Sequence, residues 1–246
     1  MTPEEITPYG DSRAKTDQVR EMFDHIAPSY DRLNRLMSLG LDRGWRRRAV
    51  RCVGARDPRR IVDIACGTGD FAISLARAIP AAHITGVDLS EGMVGVGRRK
   101  LADLGLDTRV SLTVGDCLAG AGIAEGSADA VTVAFGVRNF ADLAAGYRAM
   151  YRMLRPGGQL CVLELARPAS PLVRPGYDIY TRLAIPLAGR IISGDRRAYS
   201  YLPETIAAVP RGQRMLQIMQ QAGFADTACR ELTLGVCCIY TGIKPD

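Results

Sequence analysis

An α/β fold of the doubly wound kind, an open and mostly parallel sheet with helices on both faces, is what this sequence predicts, and two observations carry it. In the first, Ile61, Val62, Ile64 and Ala65 read as a buried strand that runs into Cys66-Gly67-Thr68-Gly69, a turn that only small residues allow, and a helix pattern follows at once. In the second, strand and helix patterns then alternate along most of the remaining chain. A strand, glycine turn and helix let a ligand lie against bare backbone at the carboxyl end of a parallel sheet, where open α/β folds place their ligands.

In chain order, residues 1–16 are polar and read as a frayed terminus. Helical segments follow between Val19 and Arg51: VREMFDHIA, PSYDRLNRLMSLG and LDRGWRRRAVRCV. Leu33, Leu36, Met37 and Tyr30 share a helical spacing, which describes an amphipathic cap preceding the sheet. Such a cap either packs on the domain or closes over a site, with Phe23, Tyr30, Met37 and Trp45 as its apolar contacts. The first unit has its strand at 61–65 and its helix from about 69 to 79. HITGVDLS gives a second strand ending in Asp88, and EGMVGVGRRKLADLG a helix with Glu91 suiting the dipole in its first turn. VSLTVGD is a third strand ending in Asp116, and ADAVTVAFGVRN carries a fourth. DLAAGYRAMYRMLRPGG is a helix stopped by Pro156-Gly157-Gly158, and QLCVLELA is a fifth strand. From Arg167 to Pro210 the pattern turns irregular, with six prolines and four tyrosines, a length that points to a functional insertion. Helix GQRMLQIMQQAG and the strands ADTACRELTL and GVCCIYTGIK close the chain, the last two as an antiparallel hairpin. The chain therefore reads as one domain, 1–246: a cap over 17–55, a ligand-binding core over 56–166, an insertion over 167–210, and a C-terminal helix and strand pair over 211–246.

The totals fit this reading. A length of 246 residues suits one full α/β domain with appendages, and 47% hydrophobic with 24% charged residues is ordinary for a globular protein. No apolar run reaches the length of a spanning helix, and MTPEEITPYG lacks the regions of a signal peptide, so a cytoplasmic location is expected. Seven scattered cysteines without a CxxC pair, and two histidines, His25 and His83, make no metal-site pattern. The formal charge of +6 is uneven, with eight arginines (43, 46, 47, 48, 51, 56, 59, 60) against Asp57 alone. This stretch is either a solvated helix face and loop or a surface for anionic phospholipid headgroups. No nucleic-acid module accompanies it.

Which ligand lies on the glycine turn is decided by acids. Gly67-x-Gly69-x-x-Ala72 also fits the dinucleotide fingerprint. A pyrophosphate, however, needs a helix N-terminus free of competing charge, whereas Asp63 and Asp70 flank this one and suit a cation. Asp88, 19 residues after Gly69, stands where a ribose would lie, a device that NAD enzymes share. Asp116, in GDC after the third strand, can accept from an adenine amine, with the Cys117 N–H available to a ring nitrogen. Three acids at three consecutive strand ends, around GTG, point to the class I S-adenosylmethionine-dependent methyltransferase fold, Rossmann-like with a C-terminal antiparallel strand.

The strings MFDHIAPSYDRLNRLMSLGLDRGWRR, VDIACGTGDFA, GVDLSEGM, VAFGVRNFADL, YRMLRPGG, YSYLPETI and LTLGVCCIYTGIKP make the chain resemble the ubiquinone/menaquinone biosynthesis C-methyltransferase family from Val19 to Pro245. FGVRNF and APSYDRLN are the specific pieces. The resemblance implies methyl transfer from S-adenosylmethionine to a ring carbon of a polyprenylated quinol, either a 1,4-naphthoquinol giving menaquinol or a 2-polyprenyl-6-methoxy-1,4-benzoquinol. It carries the cofactor-binding set Asp63, Gly67, Thr68, Gly69, Asp88, Leu89, Met93, Asp116 and Cys117. After GDC this chain reads LAGAGIAEGSADA, where the family often has a Leu-Pro-Phe stretch, and Ala134 stands where some relatives have serine.

Methylating carbon needs the electron density of a phenolate. Ionising a phenol of pKa about 10 at pH 7 costs about 4 kcal/mol, which a fixed guanidinium near the oxygen reduces. Arg138 is the candidate, with Asn139 orienting the hydroxyl and Tyr30 closing the pocket from the cap. The competing readings are a surface Arg138 paired with Asp142 and an Asn139 that only caps the next helix. Arg138 is a poor literal base, so water, Asp88 or His25 would take the proton. Tyr177, Tyr180, Leu183, Ile185, Tyr199 and Tyr201 of the insertion suit an apolar entrance for a prenyl tail, and the cap arginines suit transient contact with a membrane surface. A homo-oligomer is compatible with the pattern. The rival readings are methyl transfer to O or N of another small aromatic molecule, a non-catalytic S-adenosylmethionine-binding subunit and, more remotely, an NAD dehydrogenase.

Overall fold

The computed structural model describes residues 2–120, 122–181 and 196–246, and the side chains of all of these except 196–200. Its strands are β1 (Arg60–Ile64), β2 (His83–Asp88), β3 (Val110–Val114), β4 (Ala128–Ala134), β5 (Leu154–Leu165), β6 (Ala225–Leu232) and β7 (Cys237–Ile243). They form one sheet in the order β3-β2-β1-β4-β5-β7-β6. The first five run parallel, and β7 lies antiparallel to both β5 and β6. The helices are α1 (Lys15–Ile26), α2 (Tyr30–Met37), α3 (Leu41–Gly54), α4 (Asp70–Ala78), α5 (Glu91–Asp103), α6 (Leu143–Met153), α7 (Arg174–Ile179), α8 (Arg196–Ala208) and α9 (Gln213–Gln221).

The central strands are continuous apolar runs because both of their faces are covered. Ile61, Ile84 and Leu163 face a core shared with Trp45, Val53, Phe71 and Leu75 of α3 and α4. Val62, Ile64 and Val133 face the opposite core, with Tyr147 and Met150 of α6 and Met215 and Met219 of α9. A third cluster lies over the carboxyl ends of the strands: Val19, Met22 and Ile26 of α1 and Leu33 of α2 meet Met93 of α5 and Tyr201 of α8. The N-terminal cap is thereby bound to the core and to the segment after β5 through one apolar seam. β1 and β4 are neighbours whose connections leave in opposite directions across the sheet, which opens a crevice at their carboxyl ends.

Two boundaries differ from the sequence reading. α6 stops at Met153 and β5 begins at Leu154, upstream of Pro156-Gly157-Gly158. Leu154 is fully buried and already extended (φ −73°, ψ 139°), and Arg155 is steered from helical geometry by the proline after it. β3 ends at Val114, so Asp116 sits beyond it in a turn, where the Gly115 N–H still reaches the Asp88 carbonyl at 2.9 Å.

The glycine turn after β1 lies directly on α5. A Cβ built on Gly97 would stand 2.5 Å from Leu112 Cδ1 and 3.1 Å from the carbonyl carbon of Thr68. Gly97→Ala should therefore push α5 off the turn and cost about 1–3 kcal/mol of stability, read as a lowered urea midpoint with an unchanged m-value.

Candidate active site

The turn Cys66–Gly69 is held open by backbone geometry. Gly67 (φ 55°) and Gly69 (φ 77°) both adopt left-handed conformations, and Gly69 is the N-cap of α4. The Gly67 N–H donates to Asp88 Oδ2 at 2.7 Å, and the Ser90 N–H donates to Oδ1 at 2.9 Å, so the last residue of β2 is fastened to the turn after β1. A cleft opens beside this pair. Gly67, Asp88, Leu89, Met93, Asp116 and Cys117 line one side of it, and Val19, Arg20 and Phe23 of α1 with Tyr30 roof it. Asp116 accepts the Leu118 N–H at 2.8 Å, which fixes its carboxylate in the wall. Burial pushes the Asp88 carboxyl up, against the pull of its two backbone donors.

Three of the expected cofactor residues lie behind this wall. Asp63 is 1% exposed; its Oδ1 accepts the Thr132 hydroxyl at 2.6 Å, and its Oδ2 has no partner among the described residues. Thr68 is buried and donates its hydroxyl to Asp31 at 2.6 Å, and Gly69 shapes the turn beneath. Asp70 is not free to face a cation either. It pairs with Lys100 and lies 3.7 Å from Arg46, while Lys100 also holds Asp31 at 2.9 Å.

A second cavity, of about 400 Å³, continues from the cleft past Tyr30 and Phe135, which line both. Its walls are largely apolar, from Met37, Leu41, Trp45, Leu165, Tyr177 and Val236. Phe23 roofs the cleft, and Met37 and Trp45 wall the chamber, so the apolar residues expected of the cap divide between the two. Tyr180 lines the chamber with its hydroxyl on the Met37 carbonyl at 2.9 Å, and Tyr201 lines a smaller cavity beside Tyr30, Arg138 and Asn139. Leu183 and Ile185 lie outside the described residues, as does the side chain of Tyr199.

Arg138 follows β4 in a short 3-10 turn, Val137–Asn139, and is 6% exposed. It is no surface residue paired with Asp142: its Nη1 donates to Glu164 Oε1 at 2.7 Å and to the Phe135 carbonyl, and its backbone N–H reaches Glu164 Oε2 at 3.2 Å. Nor does Asn139 cap α6. Asp142 does, accepting the Ala145 N–H at 2.7 Å, which leaves Asn139 Oδ1 buried and unpartnered among the described residues. Tyr30 borders all three cavities, and burial raises its phenol, opposed by the nearby Asn34, Arg138 and Arg46. His25 is exposed on α1 beside Tyr9 and borders none of these cavities, so it is no proton acceptor in this geometry.

Glu164 escaped the sequence reading, although an acid inside the apolar strand QLCVLELA is itself the signal. Arg46 was counted with the anion-seeking arginines, yet it is buried against Asp42 at 2.5 Å and over the Phe135 ring at 5.6 Å. The other seven are exposed.

This strand order, with carboxylates at or just beyond the ends of three neighbouring strands around a glycine turn, is the architecture of class I S-adenosylmethionine-dependent methyltransferases. The fold is shared with the cyclase SpnF (TM-score 0.70, 19% identity, 94% of this chain and 97% of that one). It is also shared with a possible histamine N-methyltransferase of Thermotoga maritima (TM-score 0.64, 21% identity, 91% and 99%). Among curated proteins, the chain is 44% identical to the demethylmenaquinone methyltransferase of Bacteroides fragilis over 98% of both chains. It is 42% identical to the ubiquinone/menaquinone biosynthesis C-methyltransferase UbiE of Geobacter sulfurreducens, over 94% of this chain and 90% of that one. The model of the ubiE/COQ5 methyltransferase family matches residues 11–244, and the chain belongs to that family.

Burial raises Asp63 from 3.8 to about 7, the Thr132 hydrogen bond and Arg46 opposing it. The folded state then binds more protons than the unfolded state between about pH 4 and 7, so stability falls as pH rises through that window and levels above it. Asp63→Asn should flatten that slope. Urea unfolding at pH 5 and pH 8 checks it: the wild type should lose more stability than the variant between the two.

Proposed function

We propose that this chain is an S-adenosylmethionine-dependent C-methyltransferase of quinone biosynthesis that methylates a ring carbon of a polyprenylated quinol, with demethylmenaquinol converted to menaquinol as the first reading and 2-polyprenyl-6-methoxy-1,4-benzoquinol as a further substrate. The observation that carries it is the apolar chamber that shares Tyr30 and Phe135 with the cofactor cleft and has a buried guanidinium, Arg138, in its wall. Two relatives named for menaquinone methylation support the substrate class.

The cleft fits the cofactor. Asp88 suits ribose hydroxyls, Asp116 and the Cys117 N–H suit adenine, Leu89 and Met93 supply apolar wall, and Gly67 leaves room against Tyr30. Asp63, with Thr68 and Gly69, shapes the turn from behind the wall. When bound, S-adenosylmethionine supplies an electrophilic methyl on a sulfonium. Arg138, fixed by Glu164, stabilises the quinol oxyanion and so raises electron density on the neighbouring ring carbon. Asn139 orients the hydroxyl, and Tyr30 holds the ring against the cleft. Asp88 or water takes the proton. Apolar walls exclude bulk water and align the reactants. The cap (17–55), the cofactor core (56–166), the described part of the substrate segment (167–210) and the C-terminal elements (211–246) serve this reaction together as one domain.

Transient membrane contact fits the same chamber. No helix among the described residues is long and apolar enough to cross a membrane. Yet Leu39, Leu172, Ile179 and Leu234 are 71%, 91%, 62% and 73% exposed, and all stand on or beside segments that line the chamber, with Arg43 and Arg47 exposed on neighbouring α3. A prenyl tail would enter between these side chains while the arginines meet headgroups.

Purified protein given labelled S-adenosylmethionine and demethylmenaquinol should place the label on the ring carbon; label only in ether products would overturn the reading. Arg138→Lys should keep cofactor binding and lose about 10²–10³ in kcat, since a point charge does not reproduce the guanidinium geometry. Equal turnover would remove Arg138 from the mechanism. In sedimentation with anionic vesicles, the protein should be retained at low salt, less at high salt, and less again in Leu39→Ser/Leu172→Ser. An unretained protein at low salt would end the membrane proposal.

A further inference from the structure

Six buried side-chain nitrogen or oxygen atoms lack a hydrogen-bond partner among the described residues, and three of them sit on residues that line one small cavity: Arg138 Nε, Asn139 Oδ1 and the Tyr201 hydroxyl. The rest of that cavity's wall is mostly apolar, from Met22, Phe23, Ile26, Leu33 and Met37. Orphaned polar atoms are costly in such surroundings, and three on residues of two separate elements around one cavity, the turn after β4 and α8, mark the place where a polar ligand atom belongs. Their chemistry is specific. Two are donors, an N–H and a phenolic O–H, and one is an acceptor. A phenolic hydroxyl on an otherwise apolar ring is the complement: its proton goes to Asn139 Oδ1, and its oxygen accepts from the other two. The bond to Asn139 is a hydrogen bond only; once Asp88 or water takes the proton, both donors remain on the oxyanion.

We infer that Tyr201 binds substrate directly, as a second donor beside Arg138 Nε to the phenolic oxygen of the quinol, an assignment that rests on the quinol methyltransferase reading above. Several features fit. Tyr201 is 4% exposed in the seam that joins α8 to the cap, so its position is fixed by packing with Val19, Met22 and Leu33 and does not depend on its hydroxyl. Burial pushes its phenol up, with Arg138 pulling it down and Glu164 pushing it up, so it stays protonated and able to donate. Arg138 commits Nη1 to Glu164 and to the Phe135 carbonyl, which leaves the Nε edge as its unpartnered buried donor.

Tyr201→Phe removes only the hydroxyl, and three readouts decide its role. The melting temperature of the cofactor-free protein should hold or rise, because an unpartnered buried donor is lost. With demethylmenaquinol at pH 7, kcat should fall about 10- to 100-fold while KM for S-adenosylmethionine stays within twofold. The defect should shrink as pH rises toward the ordinary phenol pKa of about 10, where ionisation needs less help. A melting temperature lowered by several degrees would make the hydroxyl structural and overturn the assignment, as would a kcat within twofold of wild type or a defect equal at every pH. A wild-type enzyme that leaves demethylmenaquinol unmethylated would sink the quinol reading and this assignment with it; wild-type turnover with an unaffected Tyr201→Phe would sink the assignment alone.

Discussion

The pairing of Arg138 with Glu164 is the constraint on which the substrate side of this fold is built. Both groups are almost wholly removed from water, at 7% and 1% side-chain exposure, so each charge is compensated by the other and not by solvent. The pair ties the end of β5 to the turn after β4, and those two strands are already in parallel register from Ala130 and Gln159 onward. Glu164 holds Arg138 by side chain and backbone together, so the guanidinium has little freedom to rotate. A charge fixed in this way stabilises a developing oxyanion without reorganising when the reaction occurs.

Electrostatics then divide the crevice into two halves. On the side of β1, β2 and β3 the wall carries Asp88 and Asp116, with Asp63 behind it. On the side of β4 and β5 it carries Arg138. A sulfonium suits the first half and a phenolate the second, and the two meet where Tyr30 and Phe135 line both spaces. On the function proposed above, the two halves favour opposite charges on the two reactants and hold them on either side of one aromatic boundary.

Much of this was legible in the sequence, because periodicity and turn chemistry act locally. The strand into CGTGD, the alternation after it and the acids Asp88 and Asp116 are read from neighbours in the chain, and the structure brings these acids to one cleft. What the sequence hid was pairing at a distance. Asp63 looked equivalent to Asp88, and Asp70 looked suited to a cation, but whether an acid faces ligand or protein depends on Thr132 and Lys100, 69 and 30 residues further along. Arg46 stood in a run of arginines and gave no sign that Asp42 and Phe135 would bury it. The orphaned hydroxyl of Tyr201 is legible only from the whole packed seam, since nothing in its own segment states which polar groups lack partners.

The cap explains how two half-sites become one. Asp24 of α1 accepts from the Ser90 hydroxyl at 2.5 Å and from the Gly92 N–H at 2.9 Å, at the start of α5 and just beyond the acid that suits ribose. Asp31 of α2 accepts from Thr68 in the glycine turn and from Lys100. Both fastenings end on elements of the cofactor half, whereas the buried Met22 and Leu33 and the half-buried Phe23 and Met37 of the cap wall the inner cavity of the substrate half. The cap therefore touches the cofactor half through these polar contacts and the substrate wall through apolar side chains. Tyr30, placed in the chain between those two aspartates, lines both spaces, so on the function proposed above a cap docked by Asp24 and Asp31 sets the quinol side in register with the methyl side.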